Sequence, residues 1–578
     1  MGSAPYNMLA EHYEKIENST KRLDKTDIIA TLLSGLGAED KEKTILLLQG
    51  RVFPEWDERK TGVSDKIVGK ALSLATGKSP DGISKDLRTS GDLGKTAEEL
   101  IAKKKQNTLF ASELTIEKVF KNIEKLSSIE GSGTVSSKVQ LVAELLTSAK
   151  PIEARYITRT VLGDLRIGAS YSTIRDALIS LHFPVEYQER DKEPQRYKTL
   201  LDKIQRAYDL TNDLAEVARL ISEKGMDAIQ DIKMQTMRPV NPMLFFKADT
   251  IEKGFATVGS PAYIEYKYDG FRVQAHKRGD EVKLFTRRLE DVSRQFPELI
   301  ERIRLDVKAE EAILDCEVLG VDRKTEKLLP FQSISQRIRR KHGIDKMSKE
   351  MPVVLVVFDV LKEEGNDLLD EGFEQRRERL ERIVDVKKGF IELAESVKAG
   401  SVEEANSFYE KALLEGHEGM MMKSPDKGYK PGARIGYAVK IKPVLEPLDL
   451  VITRAEWGHG KRTGWLTSYT VSCKQGDDFL EVGKVGTGIK ELEREGVLTF
   501  KELTELIRPL VREEHNSFVE IKPEIIVEVD YEEVQSSSSY ASGFALRFPR
   551  MKRLREDIRE PSSLDDVKRI YKEQRGRD

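Results

Sequence analysis

Glu265-Tyr266-Lys267-Tyr268-Asp269-Gly270-Phe271-Arg272 alternates charged and apolar side chains and then meets a turn signal. In an extended strand, residues two apart point to the same side. Glu265 and Lys267 therefore share one face, and Ile264 and Tyr266 share the other. The alternation recurs twice. Asp315 and Glu317 oppose Leu314, Cys316 and Val318, and Lys440 and Lys442 oppose Val439 and Ile441. One such strand reads as a half-buried sheet with a solvated face. Three of them bring carboxylates and lysines that can converge on one cleft, a mixture suited to a nucleoside triphosphate and its metal.

Outward from this stretch the chain changes character. Toward the N-terminus, period-3.6 patterns such as Leu214-Ala215-Glu216-Val217-Ala218-Arg219-Leu220-Ile221 predict helices throughout residues 1–235. Arg238-Pro239-Val240-Asn241-Pro242 breaks helix twice and marks a boundary. Strands are predicted at 263–267, 273–277, 282–286, 313–321, 353–361, 419–423 and 437–442, with a hairpin turn at Arg278-Gly279-Asp280. A second boundary falls between Pro443 and Pro447. Beyond it, strands at 450–454, 468–473, 480–485 and 525–531, separated by Gly-rich turns, suggest a small barrel, and a helix follows from Ser563. The expected fold class is thus all-α in 1–235, α+β with antiparallel sheets in 236–443, and all-β with a helical tail in 444–578.

The 578 residues are too many for one core. The 96 Lys+Arg against 99 Asp+Glu give a net charge of -3, so nucleic-acid binding must come from local basic surfaces. Two cysteines, Cys316 and Cys473, exclude a disulfide framework and a four-Cys zinc site and fit a reducing compartment. No run spans a bilayer, no signal peptide is seen, and position 6, a Tyr, rules out myristoylation. Gly77-Lys78-Ser79 mimics a P-loop end, but Leu72 stands where its first glycine is required.

Lys-x-Asp-Gly alone occurs in about one random chain in eight of this length. Its ordered companions are far more specific: Phe285-Thr286-Arg287-Arg288, Leu314-Asp315-Cys316-Glu317-Val318, Val357-Phe358-Asp359-Val360, Glu418-Gly419-Met420-Met421-Met422-Lys423, Tyr437-Ala438-Val439-Lys440-Ile441-Lys442 and Leu546-Arg547-Phe548-Pro549-Arg550. The series resembles the covalent nucleotidyltransferases, and within them the archaeal and eukaryal ATP-dependent DNA ligases. The resemblance implies a helical DNA-binding domain, an adenylation domain and an OB-fold over the three regions. It implies nick sealing in duplex DNA during replication, recombination and repair. AMP would pass from ATP to Lys267, then to the nick 5′-phosphate, before the 3′-hydroxyl attacks. A lysine ordinarily holds its proton to pH ~10.4, and neighbouring cations and a metal free such an amine.

By the same resemblance, Glu265 serves adenine recognition and Phe358 stacks on adenine. Arg272 and Arg287 contact ribose or phosphate, and Glu317 holds the ribose or Mg²⁺ (or Mn²⁺). Glu418 serves the metal, and Arg434, Lys440 and Lys442 neutralise phosphates. Tyr156-Ile157-Thr158-Arg159 and Leu165-Arg166-Ile167-Gly168 match the helical domain's pattern, which places Arg159 and Arg166 on DNA; solvated helix arginines are the plain alternative. Gln106-Asn107-Thr108-Leu109-Phe110 resembles the motif by which archaeal ligases dock on the sliding clamp (PCNA), with Gln106, Leu109 and Phe110 as anchors. Gln336-Arg337-Ile338-Arg339-Arg340-Lys341 is basic enough to lie along DNA or to form a solvated face. A monomer working in the cytoplasm at the nucleoid is expected. One departure stands out: the family's last block ends Arg-x-Asp-Lys, whereas here it reads Arg555-Glu556-Asp557-Ile558. Arg559, Arg553 or Lys552 then replaces the lysine, or self-adenylation is slow. The rivals are an RNA ligase or capping activity and a non-catalytic DNA-binding protein.

Overall fold

The computed structural model describes residues 2–104, 113–131, 133–325, 327–329, 331–338, 340, 342–443, 445–458, 462, 464–491, 498–515 and 517–574. The chain forms two compact units. One comprises Met1–Phe246, Asp269–Ala394 and Ser424–Gly436, the other Lys247–Tyr268, Glu395–Lys423 and Tyr437–Asp578.

The first unit begins with a helical region running from Tyr6–Asn18 to Leu214–Lys224. A single apolar core joins its helices, from Tyr6, Leu9 and Tyr13 through Tyr156 and Ile157 to Ile229. Helix starts follow local chemistry. Asp92 accepts hydrogen bonds from the Gly94 and Lys95 amides, Thr115 from Lys118 and Asp213 from Glu216, filling donors a helix cannot satisfy itself.

The same unit holds a seven-stranded sheet. Its path runs Glu281–Thr286, Phe271–Arg278, Glu311–Val321, Val353–Glu363 and Asn366–Asp367. Leu328–Leu329 adds to Glu311–Val321, and Ile391–Leu393 pairs parallel to Val353–Glu363, the one parallel pair in an otherwise antiparallel sheet. Val273, Ala275, Leu314, Cys316, Val318 and Val357 pack on Phe296, Leu299 and Ile303 beside helix Pro297–Asp306. Strand Val353–Glu363 is apolar on both faces over Val353–Val357 and is buried along most of its length, with Asp359 and Lys362 as its buried charges.

The second unit contains a five-stranded sheet in the order Leu244–Lys247, Arg434–Ile441, Gly419–Lys423, Ala262–Lys267 and Ser396–Ala399. The chain enters this unit within the first of these strands and again within the second. Ile264, Met420, Met422, Val439 and Ile441 form the buried face, under Ile251, Val258 and Ala405 from helices Ile251–Val258 and Val402–Leu414. The remainder is strand-rich. Leu448–Trp457 pairs with Leu466–Gln475 along one edge; on the other it takes Phe518–Ile521 at 454–456 and Ile526–Asp530 at 448–451. One strand thus serves two partners in succession, which curls the sheet around Ile452, Tyr469, Val471 and Val529. Ser563 caps the last helix, Leu564–Glu573.

The three expected fold types are therefore present in order; most observed strands outrun their predictions by a residue or more, Gly419–Lys423 matches, Ile526–Asp530 falls a residue short at each end of 525–531, and Arg434–Ile441 starts earlier than 437 but stops before Lys442. The short edge strands Leu244–Lys247 and Ser396–Ala399 carry exposed side chains and too little alternation to announce themselves.

Candidate active site

Lys267 ends its strand in the second unit, and the neighbouring strand decides what it meets. Gly419 lies opposite Lys267 and the Glu418 amide donates to the Lys267 carbonyl at 2.9 Å. Only glycine fits there: φ is +140°, and a Cβ would lie 2.2 Å from the Ile441 carbonyl oxygen. This close approach sets the Glu418 carboxylate, 6% exposed, 2.6 Å from Lys267 Nζ and 3.0 Å from Lys442 Nζ. Arg547 lies 3.5 Å from the other oxygen of Glu418 and 3.2 Å from Glu533, and Lys442 also donates to Glu532 at 2.8 Å.

The electrostatics follow from that crowding. Burial alone would push the Glu418 carboxyl up, but Lys267 and Lys442 outweigh it and hold it far below its ordinary range. Lys440 is pushed down, first by burial and then by the charges of Lys442 and Lys267. Lys442 is raised despite burial, because Glu418 and Glu532 favour its charged form. Lys440 sits opposite Met421, which sits opposite Glu265, so the three share one face of the sheet. Glu265 is 2% exposed and pairs at 2.5 Å with Lys423, itself 4% exposed.

The seven-stranded sheet of the first unit presents its own set. Arg272 lies opposite Glu317. Its fork donates to Asp315 Oδ1 at 2.8 Å and Oδ2 at 2.5 Å, and a third donor reaches the Met243 carbonyl at 2.7 Å. Tyr429 donates to Asp315 at 2.8 Å. Asp315 is fully buried, and burial together with its charge drives the Tyr429 hydroxyl well above its ordinary value. The Arg272 guanidinium stays charged there because Asp315 and Tyr429 offset its burial. It stands 5.4 Å from the centroid of the half-buried Phe358 ring. Glu317 is half-buried on the Asp315 side of its strand. Gly270 lets the strands approach, since a Cβ would meet the Val318 carbonyl oxygen at 2.3 Å.

Other expected residues fall further out. Arg287 is exposed in the turn after Glu281–Thr286, and Arg434 is exposed 5.7 Å from the Phe246 ring. Arg166 is half-exposed, in left-handed backbone (φ 58°), and bonds Asp164 at 2.6 Å. Arg159 lies deeper than a solvated helix arginine would. It is 3% exposed and donates inward to Glu17 at 2.8 Å and Asp92 at 2.7 Å, so it braces three helical segments. Arg337, in the basic stretch, is likewise buried, against Glu298 at 2.6 Å. Gln106, Leu109 and Phe110 lie outside the described residues. Lys423, Asp315 as the Arg272 partner, Arg547, Glu532 and Glu533 carried no assigned role in the sequence. For Lys423 a signal existed, because it repeats the two-residue spacing from Gly419 and Met421 on the polar face.

A helical region, a central domain with antiparallel sheets bearing a lysine-rich face, and a strand-rich C-terminal region define a nucleotidyltransferase with accessory domains. Family models match over three consecutive stretches: "DNA ligase N terminus" at 5–179, "ATP dependent DNA ligase domain" at 242–442 and "ATP dependent DNA ligase C terminal region" at 462–558. The chain is 44% identical over 576 residues to "DNA ligase" of Nanoarchaeum equitans, covering 99% of each chain. It is 38% identical over 572 residues to "DNA ligase" of Thermococcus onnurineus, covering 99% of this chain and 98% of the other. Among solved structures, "Pmar-Lig_PreS3" aligns with a TM-score of 0.58 at 18% identity, covering 94% of this chain and 99% of that one, a likeness of fold. The chain belongs to the ATP-dependent DNA ligase family, and is an enzyme of it.

Proposed function

We propose that Lys267 is the nucleophile that carries AMP from ATP to a nick in duplex DNA. The observation that carries this is the Lys267 ammonium held on Glu418 beside Lys440 and Lys442, on the polar face of one sheet. The neutral amine attacks the α-phosphorus. An N–P bond forms, the bond to the bridging α–β oxygen breaks, and pyrophosphate leaves. The nick 5′-phosphate oxygen then attacks the same phosphorus and releases the lysine. Finally the 3′-hydroxyl attacks the activated 5′-phosphate, closing the phosphodiester and releasing AMP. Lys440 and Lys442 neutralise phosphate charge that grows on the leaving pyrophosphate. Phe358 stacks on adenine, Arg272 keeps its fork oriented from Asp315, and Glu265 reads the adenine edge. Arg434 joins Lys440 and Lys442 in neutralising phosphate, and exposed Arg287 contacts ribose or phosphate and later the nick 5′-phosphate.

Glu317 and Glu418, each in its own unit, offer carboxylate oxygens, the donor type Mg²⁺ takes, and each by itself suits a Mg²⁺ brought with the triphosphate. Bound, it would screen the phosphate oxygens from the attacking amine. Arg166 supplies a phosphate contact to DNA. Gln106, Leu109 and Phe110 dock on a sliding clamp; clamp-stimulated ligation that persists in Phe110→Ala would rule this out. The protein works as a monomer on chromosomal DNA in the cytoplasm, during replication, recombination and repair. Incubation with α-labelled ATP and Mg²⁺ tests the core reading. Wild type takes up label and releases pyrophosphate, Lys267→Ala takes up none, and a nicked duplex discharges the adduct. Label retained in Lys267→Ala would refute the assignment.

A further inference from the structure

The C-terminal region lays a carboxylate on a lysine that the proposed function gives to the triphosphate. Glu532 stands between strands Ile526–Asp530 and Glu533–Ser536, with its amide bonded to the Arg547 carbonyl at 2.9 Å. Next to it the Tyr531 hydroxyl donates to the Glu446 carbonyl at 2.7 Å. These bonds hold Glu532 Oε2 2.8 Å from Lys442 Nζ. The Glu532 carboxyl is held below its ordinary range: burial works against this, but the hydrogen bond and charge of Lys442 and the charge of Lys440 prevail. The pair borders a cavity of about 780 Å³ that Glu418, Lys442 and Glu532 help to line.

The two carboxylates on Lys442 differ in one decisive respect. Glu418 is 6% exposed and also binds Lys267, so it belongs to the sheet. Glu532 is 43% exposed, comes from the C-terminal strands and faces open space. A half-exposed carboxylate, held on the lysine from a separate element, is readily exchanged for a stronger anion. A triphosphate with four negative charges is such an anion, and its arrival beside Glu532 would set like charges against each other.

We propose that Glu532 is a phosphate surrogate, occupying Lys442 in the nucleotide-free enzyme and competing with the triphosphate for that ammonium. The proposal rests on Lys442 being a phosphate ligand of the reaction above. ATP binding then requires Glu532 to leave, which couples nucleotide entry to release of the C-terminal strands from the catalytic sheet. Glu532 is a positioning residue, and it sets the nucleotide concentration at which the enzyme charges.

The test is calorimetric titration with α,β-methylene-ATP and Mg²⁺, whose carbon bridge blocks adenylyl transfer. Glu532→Gln should bind about fivefold more tightly than wild type, since an ion pair with a half-exposed carboxylate contributes about 1 kcal/mol. Glu532→Ser should move in the same direction, which guards against a local defect of either variant. Glu513→Gln, a carboxylate elsewhere on the C-terminal strands, should leave the affinity alone. With ATP itself, the half-saturating concentration for adduct formation should fall in Glu532→Gln by the same factor. Equal or weaker analogue binding by both variants overturns the proposal, as does absence of binding in all of them. If the analogue binds but ATP never yields an adduct in wild type, the nucleophile assignment fails, while the affinity comparison still decides the role of Glu532.

Discussion

Removing the Lys423 ammonium should strand the Glu265 carboxylate inside the sheet, and the geometry sets the size of the effect. The two side chains are 4% and 2% exposed and their charged atoms lie 2.5 Å apart. Breaking one half of a buried pair costs about 3–5 kcal/mol, because the survivor is left charged and desolvated. Replacing both charges by neutral groups avoids that cost. Lys423→Met should therefore destabilise the strands Ala262–Lys267 and Gly419–Lys423 by about 3 kcal/mol. Glu265→Gln/Lys423→Met should recover all but about 1 kcal/mol of that loss. A chain with several cores does not unfold in one step, so the assay is amide hydrogen exchange read on peptides from these two strands. At about 1.4 kcal/mol per decade, the single variant should exchange about a hundred times faster, and the double variant should return toward wild type. Equal exchange in the single and double variants would show that Glu265 pays nothing for losing Lys423, and the buried-pair argument would be wrong. The double variant also isolates function. If it is well folded yet charges poorly with ATP, the defect belongs to Glu265 at the nucleotide.

His276 is fully buried; its Nδ1 accepts from the Met237 amide at 3.1 Å, and burial, aided by the Lys283 charge, lowers its pKa to about 3. The folded state thus disfavours the proton, so stability is whole above the ordinary value of about 6.5 and declines as pH falls toward 3, by up to about 1.4 kcal/mol per pH unit; melting curves from pH 7 to 5 should show a slope that His276→Asn lacks. Arg159→Met should destabilise the helical region by about 3 kcal/mol while the folded variant keeps its DNA affinity and salt slope, and a lost phosphate contact in that slope would reinstate Arg159 at the DNA. Arg159, against opposing burial, lowers the Glu17 and Asp92 carboxyls, so their contribution is complete above about pH 4.5 and is lost as pH falls further; urea midpoints should show that acid loss shrinking in Arg159→Met. Ile558→Lys should speed lysine adenylation, because Lys552 and Arg553 are already paired with Glu528; an unchanged single-turnover rate would show that the lysine is not missed and that exposed Arg559 supplies the charge.

What the sequence disclosed and what it withheld divide along one physical line. A two-residue period tells which side of a strand a residue occupies, because that depends only on backbone geometry. Lys267, Glu265, Lys440 and Glu317 were therefore legible, and so was the apolar face of Ile264, Val439 and Ile441 beneath them. The period does not tell what a charge on that side will meet, because its partner comes from elsewhere in the chain. Nothing in the stretch around Arg159 announces Glu17 and Asp92, which close on it from two other segments. Arg337 looked like part of a basic stripe until Glu298 buried it. Asp315 looked like a cleft carboxylate until the Arg272 fork and the Tyr429 hydroxyl took both its oxygens. Each of these charges left water only because a specific counter-group made the desolvation tolerable. A buried partner fixes where a charge sits, whereas a half-exposed partner leaves it open to competition from a substrate anion. Lys442 carries one partner of each kind, buried Glu418 and half-exposed Glu532. For that reason the exchangeable partner, more than the lysine itself, is where nucleotide affinity can be tuned.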